Sequence, residues 1–137
     1  MLLHARPSTL HGAVAIPGSK SHTIRAVAIA ALAQGRSIIR APLDSLDAQA
    51  AVRCYRALGA AIDTTDSDAW IVDGTAGQPT PPEDVIDVAN SGTTLRLAMG
   101  SASLLDTGYA IFTGDYQIRR RPVGRSEEHT SELQSPN

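Results

Sequence analysis

The chain has 137 residues, 42% of them hydrophobic and 19% charged, a formal net charge of −2 and one cysteine, Cys54. These figures exclude a disordered or fibrous chain, an internal disulfide, and the basic balance expected of a protein bound to nucleic acid or an acidic membrane. No apolar run approaches the roughly 18 residues of a membrane span, and "MLLHARPSTLHG" lacks the apolar core of a secretory signal, so the reducing cytoplasm is the expected compartment.

In chain order, "GAVAI" predicts a short strand ended by Pro17-Gly18. Ser19 or Ser21 can cap the helix that follows, in which Ile24, Val27, Ala28, Ala31 and Leu32 recur at helical spacing as far as Ala33, with Gly35 placed to stop it. "RSIIRA" reads as a strand. "LDSLDAQAAVRCYRALGA" reads as a second helix: Asp44, Ser45 and Asp47 crowd its positive end, Val52, Tyr55 and Leu58 form one apolar face, and Gly59 ends it. "AAI" and "AWIVDG" are strands around the turn "DTTDSD", and "GTAGQPTPPED" is a loop. "VIDVA" predicts a strand, "NSGTTLRLAMGSASLL" a turn and helix, and "YAIFTG" a strand, followed by the basic run "RRRPVGR".

The pattern repeats. Thr23, Ile24 and Arg25 are echoed by Thr94, Leu95 and Arg96, each set opening a helix after a strand and a glycine-containing turn. The chain therefore reads as two copies of one α/β unit, over about 17–84 and 85–124, the second unfinished, with residues 1–16 leading in. Residues 125–137 fit neither copy. They are polar and acidic, and "RSEEHTSELQS" resembles a conceptual translation of a sequencing-library adapter, so this tail is expected to be non-native and is set aside.

Three segments favour anions. A helix N-terminus offers unpaired N–H groups and partial positive charge. At the first helix, Lys20 stands beside the mouth, and Ser21 and Arg25, four residues apart, share a face. At "NSGTTLR", Asn90 and Ser91 can cap while Gly92 lets a ligand approach the backbone. "RRRPVGR" holds four of the twelve basic residues, including Arg121, and its Pro122 and Gly124 suggest a fixed shape. The plain alternative for each is a capped helix or basic loop with its cations in solvent, and spacing alone does not decide between them. The three together favour a phosphorylated small molecule. A nucleotide P-loop is a poor match, because Ser19 separates Gly18 from Lys20. The histidines do not cluster with other metal ligands, so no metal is expected. Cys54 sits on a helix among packing positions and reads as core rather than nucleophile. Asp47 and Asp115 show no pairing that would mark acid–base work.

"PGSKSHTIRA", "NSGTTLRL" and "RRRPVG", in this order and at about this spacing, resemble the signature segments of the enolpyruvyl transferases of the shikimate pathway, the 5-enolpyruvylshikimate-3-phosphate synthase family. The likeness covers residues 14–124. It implies an α/β fold of repeated βαβαββ units, three to a lobe in two lobes, with helices buried inside in an inside-out barrel and a hinge near Pro17 and Gly18. Here that fold would be truncated, with residues 1–16 entering from the other lobe. It implies transfer of the enolpyruvyl group of phosphoenolpyruvate to the 5-hydroxyl of shikimate 3-phosphate, with release of phosphate, on the route to chorismate and the aromatic amino acids.

The resemblance further implies no organic cofactor, no nucleic-acid or membrane partner, and a monomeric complete enzyme. By position, Lys20 corresponds to a catalytic lysine that touches both substrates, and Ser21 and Arg25 to shikimate 3-phosphate contacts. Gly92 corresponds to a backbone contact for phosphoenolpyruvate in a turn shaped by Asn90 and Thr93, and Arg121 to the arginine that clamps phosphoenolpyruvate. Leu97 replaces a proline found in many members, the pattern of a second subgroup. The family's acid–base carboxylates and remaining arginines have no counterpart in this sequence, so the chain is expected to be inactive alone, and its exposed apolar faces are expected to favour aggregation. Gly92 implies glyphosate sensitivity of the complete enzyme. The other readings are a non-catalytic phosphate-binding module and the related UDP-N-acetylglucosamine enolpyruvyl transferase, whose Ala-Lys-Asn-type opening and reactive-cysteine loop are not seen here.

Overall fold

The computed structural model describes residues 3, 4, 7, 9 and 11–121. The expectations for 125–137 lie outside the described residues. The first series comprises α1 (Lys20–Leu32), β1 (Arg36–Arg40), α2 (Leu46–Ala57), β2 (Ala61–Asp63) and β3 (Ala69–Asp73). The second comprises β4 (Ile86–Asp87), α3 (Gly92–Ala102), β5 (Phe112–Thr113) and α4 (Tyr116–Arg119).

Each helix begins on a side chain that accepts an otherwise orphaned N–H: Ser19 for α1, Ser45 for α2, Ser91 for α3 and Asp115 for α4. The carbonyls at the end of α1 are met by the loop after β3. Thr75, Ala76 and Gly77 donate their N–H groups to Ala31, Ala33 and Leu32 at 2.8, 3.0 and 2.8 Å. That part of the predicted loop is therefore a helix cap made by tertiary contact.

β1, β3 and β2 form an antiparallel sheet with β3 in the centre. Ile39 pairs with Trp70 and Ile62 with Val72, and these four turn toward the core. The alternate residues turn outward, where Arg36 faces Asp73. β4 and β5 pair in parallel across α3, a strand–helix–strand crossover. The three long helices pack against one another and against these strands. Trp70, Tyr55, Ile24, Leu58, Val27 and Val52 form the best-buried part of one continuous core. Inside it the hydroxyls of Tyr55 on α2 and Ser101 on α3 lie 2.9 Å apart, tying the two series together. No described helix is long and apolar enough to cross a membrane.

Three expectations need correction. "GAVAI" is not a strand: residues 12–16 pair with nothing among the described residues, and Val14 and Ile16 are each 80% exposed. A strand needs a neighbouring ladder to satisfy its backbone, and the described residues supply none on either side. The strands in "VIDVA" and "YAIFTG" shrink to two residues each, because among the described residues each pairs only with the other. The start of the basic region is helical, since the Asp115 carboxylate caps it. The α/β class holds, with the first series running α-β-α-β-β and the second β-α-β-α.

Candidate anion-binding site

Lys20 is the first residue of α1, and its ammonium lies 2.8 Å from the Asp47 carboxylate in the first turn of α2. The two side chains are 53% and 26% exposed, so the pair is reachable by solvent and by a ligand. Asp47 is thus not idle, although it pairs with a cation and not with a second carboxylate. Ser21 and Arg25 follow on the exposed side of α1. The Arg25 guanidinium donates to the Ser21 carbonyl at 3.0 Å, which folds it back along its own helix toward the mouth.

The chain before α1 is fixed from two directions. The Thr23 hydroxyl donates to the Ser19 carbonyl at 3.0 Å and accepts from the Leu43 N–H at 2.9 Å. A Cβ on Gly18 would lie 2.5 Å from the Ala41 carbonyl oxygen, so only glycine passes here without moving backbone.

The second mouth is built differently. Ser91 is buried and caps α3. Its hydroxyl lies 2.7 Å from that of Thr94 and accepts the Thr94 N–H at 3.4 Å. Gly92 and Thr93 are the first two helical residues, and both are half-buried. The Asn90 amide donates to the Gln117 amide oxygen at 3.1 Å. Its own oxygen is buried with no partner among the described residues. Such an orphan costs about 1–3 kcal/mol unless something supplies a donor, so its retention points to a donor outside the described structure.

Arg121 comes to this mouth from the far side of β5. Asp115 accepts the N–H groups of Gln117 and Ile118 at 2.9 Å each, and its own N–H bonds the Ala89 carbonyl at 2.9 Å. The short helix is thereby fastened beside α3, and the Arg121 guanidinium arrives at Gly92. A Cβ on Gly92 would lie 2.5 Å from Arg121 Nη1. Glycine at 92 lets the guanidinium come this close, and a side chain there would push the free end of Arg121 away.

The predicted residues thus gather into two clusters, Lys20, Ser21 and Arg25 at α1, and Asn90, Gly92, Thr93 and Arg121 at α3. Among the described residues no hydrogen bond or ion pair joins one cluster to the other. What each offers is cationic side chains beside free helix N–H groups, an arrangement suited to phosphate and carboxylate. A hollow of about 320 Å³ elsewhere is lined by Glu83, Asp84, Val85, Tyr109 and Ile111 among others, and by none of the predicted residues. Its carboxylates would repel the same ligands. Cys54 is fully buried and its thiol is pushed up to about 12 by loss of solvent, which fits packing and not nucleophilic work.

Sequence reasoning missed Asp47 as the partner of Lys20, and Gln117 altogether. Asp47 left a signal, an acidic residue in a first helical turn. Gln117 left none, because α4 is only four residues long.

The comparisons with known proteins agree with the motifs. Residues 4–134 match the family model for EPSP synthase (3-phosphoshikimate 1-carboxyvinyltransferase). The chain is 56% identical over 124 residues to the 3-phosphoshikimate 1-carboxyvinyltransferase of Acetivibrio thermocellus, covering 90% of this chain and 29% of that protein. With the enzyme of the same name from Ruminiclostridium cellulolyticum it shares 48% over 133 residues, covering 97% of this chain and 31% of the relative. Among solved structures, EPSP synthase from Acinetobacter baumannii superposes with a TM-score of 0.80 at 25% identity, over 91% of this chain and 28% of that one. The chain therefore spans about three tenths of the length of the relatives it matches.

Proposed function

The chain belongs to the EPSP synthase family, and from that premise we propose that it carries one part of a site transferring the enolpyruvyl group of phosphoenolpyruvate to the 5-hydroxyl of shikimate 3-phosphate. In that reaction the hydroxyl oxygen adds to C2 of phosphoenolpyruvate while C3 takes a proton. The resulting tetrahedral adduct then loses a C3 proton and phosphate. Both substrates are polyanions, so a large share of the task is to hold phosphate and carboxylate in place and to stabilise charge as it moves.

The residues divide the task. Lys20 reaches both substrates, Ser21 and Arg25 hold the phosphate of shikimate 3-phosphate, and Arg121 clamps phosphoenolpyruvate while the Gly92 N–H bonds it. Asn90 and Thr93 shape the turn that presents that N–H. One observation carries this reading above the others. Gly92 and Arg121 lie 29 positions apart in sequence, were assigned to one ligand by resemblance, and stand in contact. The orphaned Asn90 oxygen at the same mouth supports it. The names of the relatives favour this reaction over the UDP-N-acetylglucosamine transferase and over a non-catalytic phosphate module. The setting we propose is cytoplasmic, the complete enzyme a monomer, and its inhibitor glyphosate.

The test is a titration of the isotope-labelled chain with phosphoenolpyruvate, followed by amide shifts. Gly92 and Thr93 are expected to move, with Arg121→Ala abolishing the response. A mouth that stays unmoved at millimolar phosphoenolpyruvate would sink the assignment.

A further inference from the structure

The two series place a partner for their helix mouths at the same position of the following helix, and that likeness of position points to a residue outside the set above. In the first series, Lys20 at the mouth of α1 is held by Asp47, the second residue of the next helix. In the second, Asn90 at the mouth of α3 is held by Gln117, again the second residue of the next helix. The N-caps of those partner helices, Ser45 and Asp115, stand 70 residues apart, and so do Asp47 and Gln117. One repeat fills the position with an ion pair, the other with paired amides.

Three links then run side by side between the α3 mouth and the α4 segment. Asp115 N–H bonds the Ala89 carbonyl, the Asn90 amide bonds Gln117, and Gly92 meets Arg121. The first is backbone and is fixed by the fold. The last is a contact that does not hold itself, because Arg121 is exposed and its guanidinium sits on a residue with no side chain to grip it. The middle link lies between them, and Arg121 follows two residues after the end of α4, its backbone tied back to that helix by its N–H, which donates to the Ile118 carbonyl at 3.0 Å.

We propose that Gln117 is a positioning residue: its amide latches α4 to the mouth of α3 and thereby sets the Arg121 guanidinium over Gly92. The latch also fixes the Asn90 amide so that its oxygen, not its NH₂ group, is left as the unpaired atom at the mouth. Gln117 touches no ligand in this account and acts through Asn90 and Arg121. The identity of the ligand rests on the function proposed above, whereas the latch does not.

The experiment compares the wild-type chain with Gln117→Met, which keeps the length of the side chain and removes the acceptor. Gln117 is exposed, so the change removes no core contact. The melting temperature is expected to stay put. The order parameter of the Arg121 Nε–H is expected to fall to flexible values, below about 0.6, and phosphoenolpyruvate to bind roughly tenfold more weakly, the scale of one lost hydrogen-bonded contact. In an Asn90→Ala background the same substitution should add nothing to the loss of order, since the latch acts through Asn90. An Arg121 as ordered in Gln117→Met as in wild type overturns the proposal, as does an equal loss of order with Asn90 already removed. If Arg121 loosens as expected while wild type fails to bind phosphoenolpyruvate, the latch stands and the substrate assignment falls.

Discussion

The mouth of α1 and the mouth of α3 are two solutions to one problem, and they differ in where the positive charge comes from. Both begin on a serine that accepts the N–H three residues on. Both bury a threonine in the first turns, Thr23 and Thr94, 71 residues apart, yet the capping serines are 72 apart. The second helix thus starts one residue later relative to its buried face. At α1 the cations belong to the helix itself, as Lys20 and Arg25. At α3 Arg96 matches Arg25, but the first turn is Gly-Thr-Thr-Leu with no counterpart of Lys20, and a second cation, Arg121, is delivered by tertiary packing from beyond β5. A cation supplied by the helix survives local loosening, whereas one delivered across the fold depends on everything between.

The largest expected effects follow from that dependence. Trp70 is 1% exposed and central to the first series. Trp70→Ala should cost about 3–5 kcal/mol in urea unfolding and disorder both mouths together, since the Tyr55–Ser101 bond and the shared core couple them. Ile118, buried on α4 and close to both Gly92 and Gly114, is the narrower probe. Ile118→Ala should cost about 2–4 kcal/mol and release Arg121 while Lys20 keeps Asp47. Amide shifts that report both mouths lost in Ile118→Ala would mean that the series are not separable in this way.

Two glycines sharpen the contrast. An added Cβ meets its neighbour at 2.5 Å at both Gly18 and Gly92. At Gly18 the neighbour is the Ala41 backbone carbonyl, which cannot yield without moving the chain, so Gly18→Ala should cost about 1–3 kcal/mol of stability. At Gly92 the neighbour is the free end of Arg121, which can swing away. Gly92→Ala should therefore leave the melting temperature nearly unchanged and weaken phosphoenolpyruvate binding roughly tenfold, a loss of about 1.4 kcal/mol. Equal stability losses in the two variants would refute the distinction.

This contrast also marks what could be read from the sequence. The first two helices were legible because capping serines, apolar spacing and stop glycines agree, and the third from its cap and turn alone. β1 and β3 were legible from their β-branched and aromatic residues. Lys20, Ser21 and Arg25 share one local turn, so their grouping was visible in a short window. The contact between Gly92 and Arg121 was not, because nothing in either segment states that they meet, and only the resemblance linked them. "GAVAI" misled for the opposite reason. Its residues favour a strand, but strand formation is decided by a partner and not by propensity. Gln117 was invisible, since its role depends on the register between two mouths.

A smaller effect is expected at the α1 mouth. Exposed ion pairs contribute about 0–1 kcal/mol, so Asp47→Asn should barely change unfolding. It should instead free Lys20 from a competitor and tighten phosphate binding by about two- to fivefold at low salt, with the gain fading toward 1 M salt, where the Debye length is about 3 Å. Gln117→Met does the reverse at the α3 mouth, where the partner positions the cation and does not compete with it. An Asp47→Asn chain that binds phosphate more weakly would place Asp47 among the groups that orient Lys20, and the two mouths would then be alike.

The smallest effect lies on the outer face of the sheet, which neither mouth uses. Arg36 donates two hydrogen bonds to Asp73, at 2.9 and 3.0 Å, and these hold the Asp73 carboxyl below the ordinary carboxylate range. Asp63 is lowered as well, chiefly by the Thr65 N–H, which donates to it at 2.9 Å. A carboxylate whose pKa is lower folded than unfolded adds stability that is complete above the unfolded value, near 3.9, and is lost as pH falls through the folded value. The wild-type chain should therefore lose stability below about pH 4, and Asp73→Asn should flatten that acid limb while leaving stability at pH 7 little changed. Both groups of the pair are well exposed, so the difference is small. Urea unfolding of both chains between neutral and acid pH measures it, and curves that stay parallel throughout would show that the pair contributes nothing to the acid limb. The response of the α3 mouth to phosphoenolpyruvate should be the same in both chains at pH 7, because Arg121 is delivered by α4 and not by this sheet.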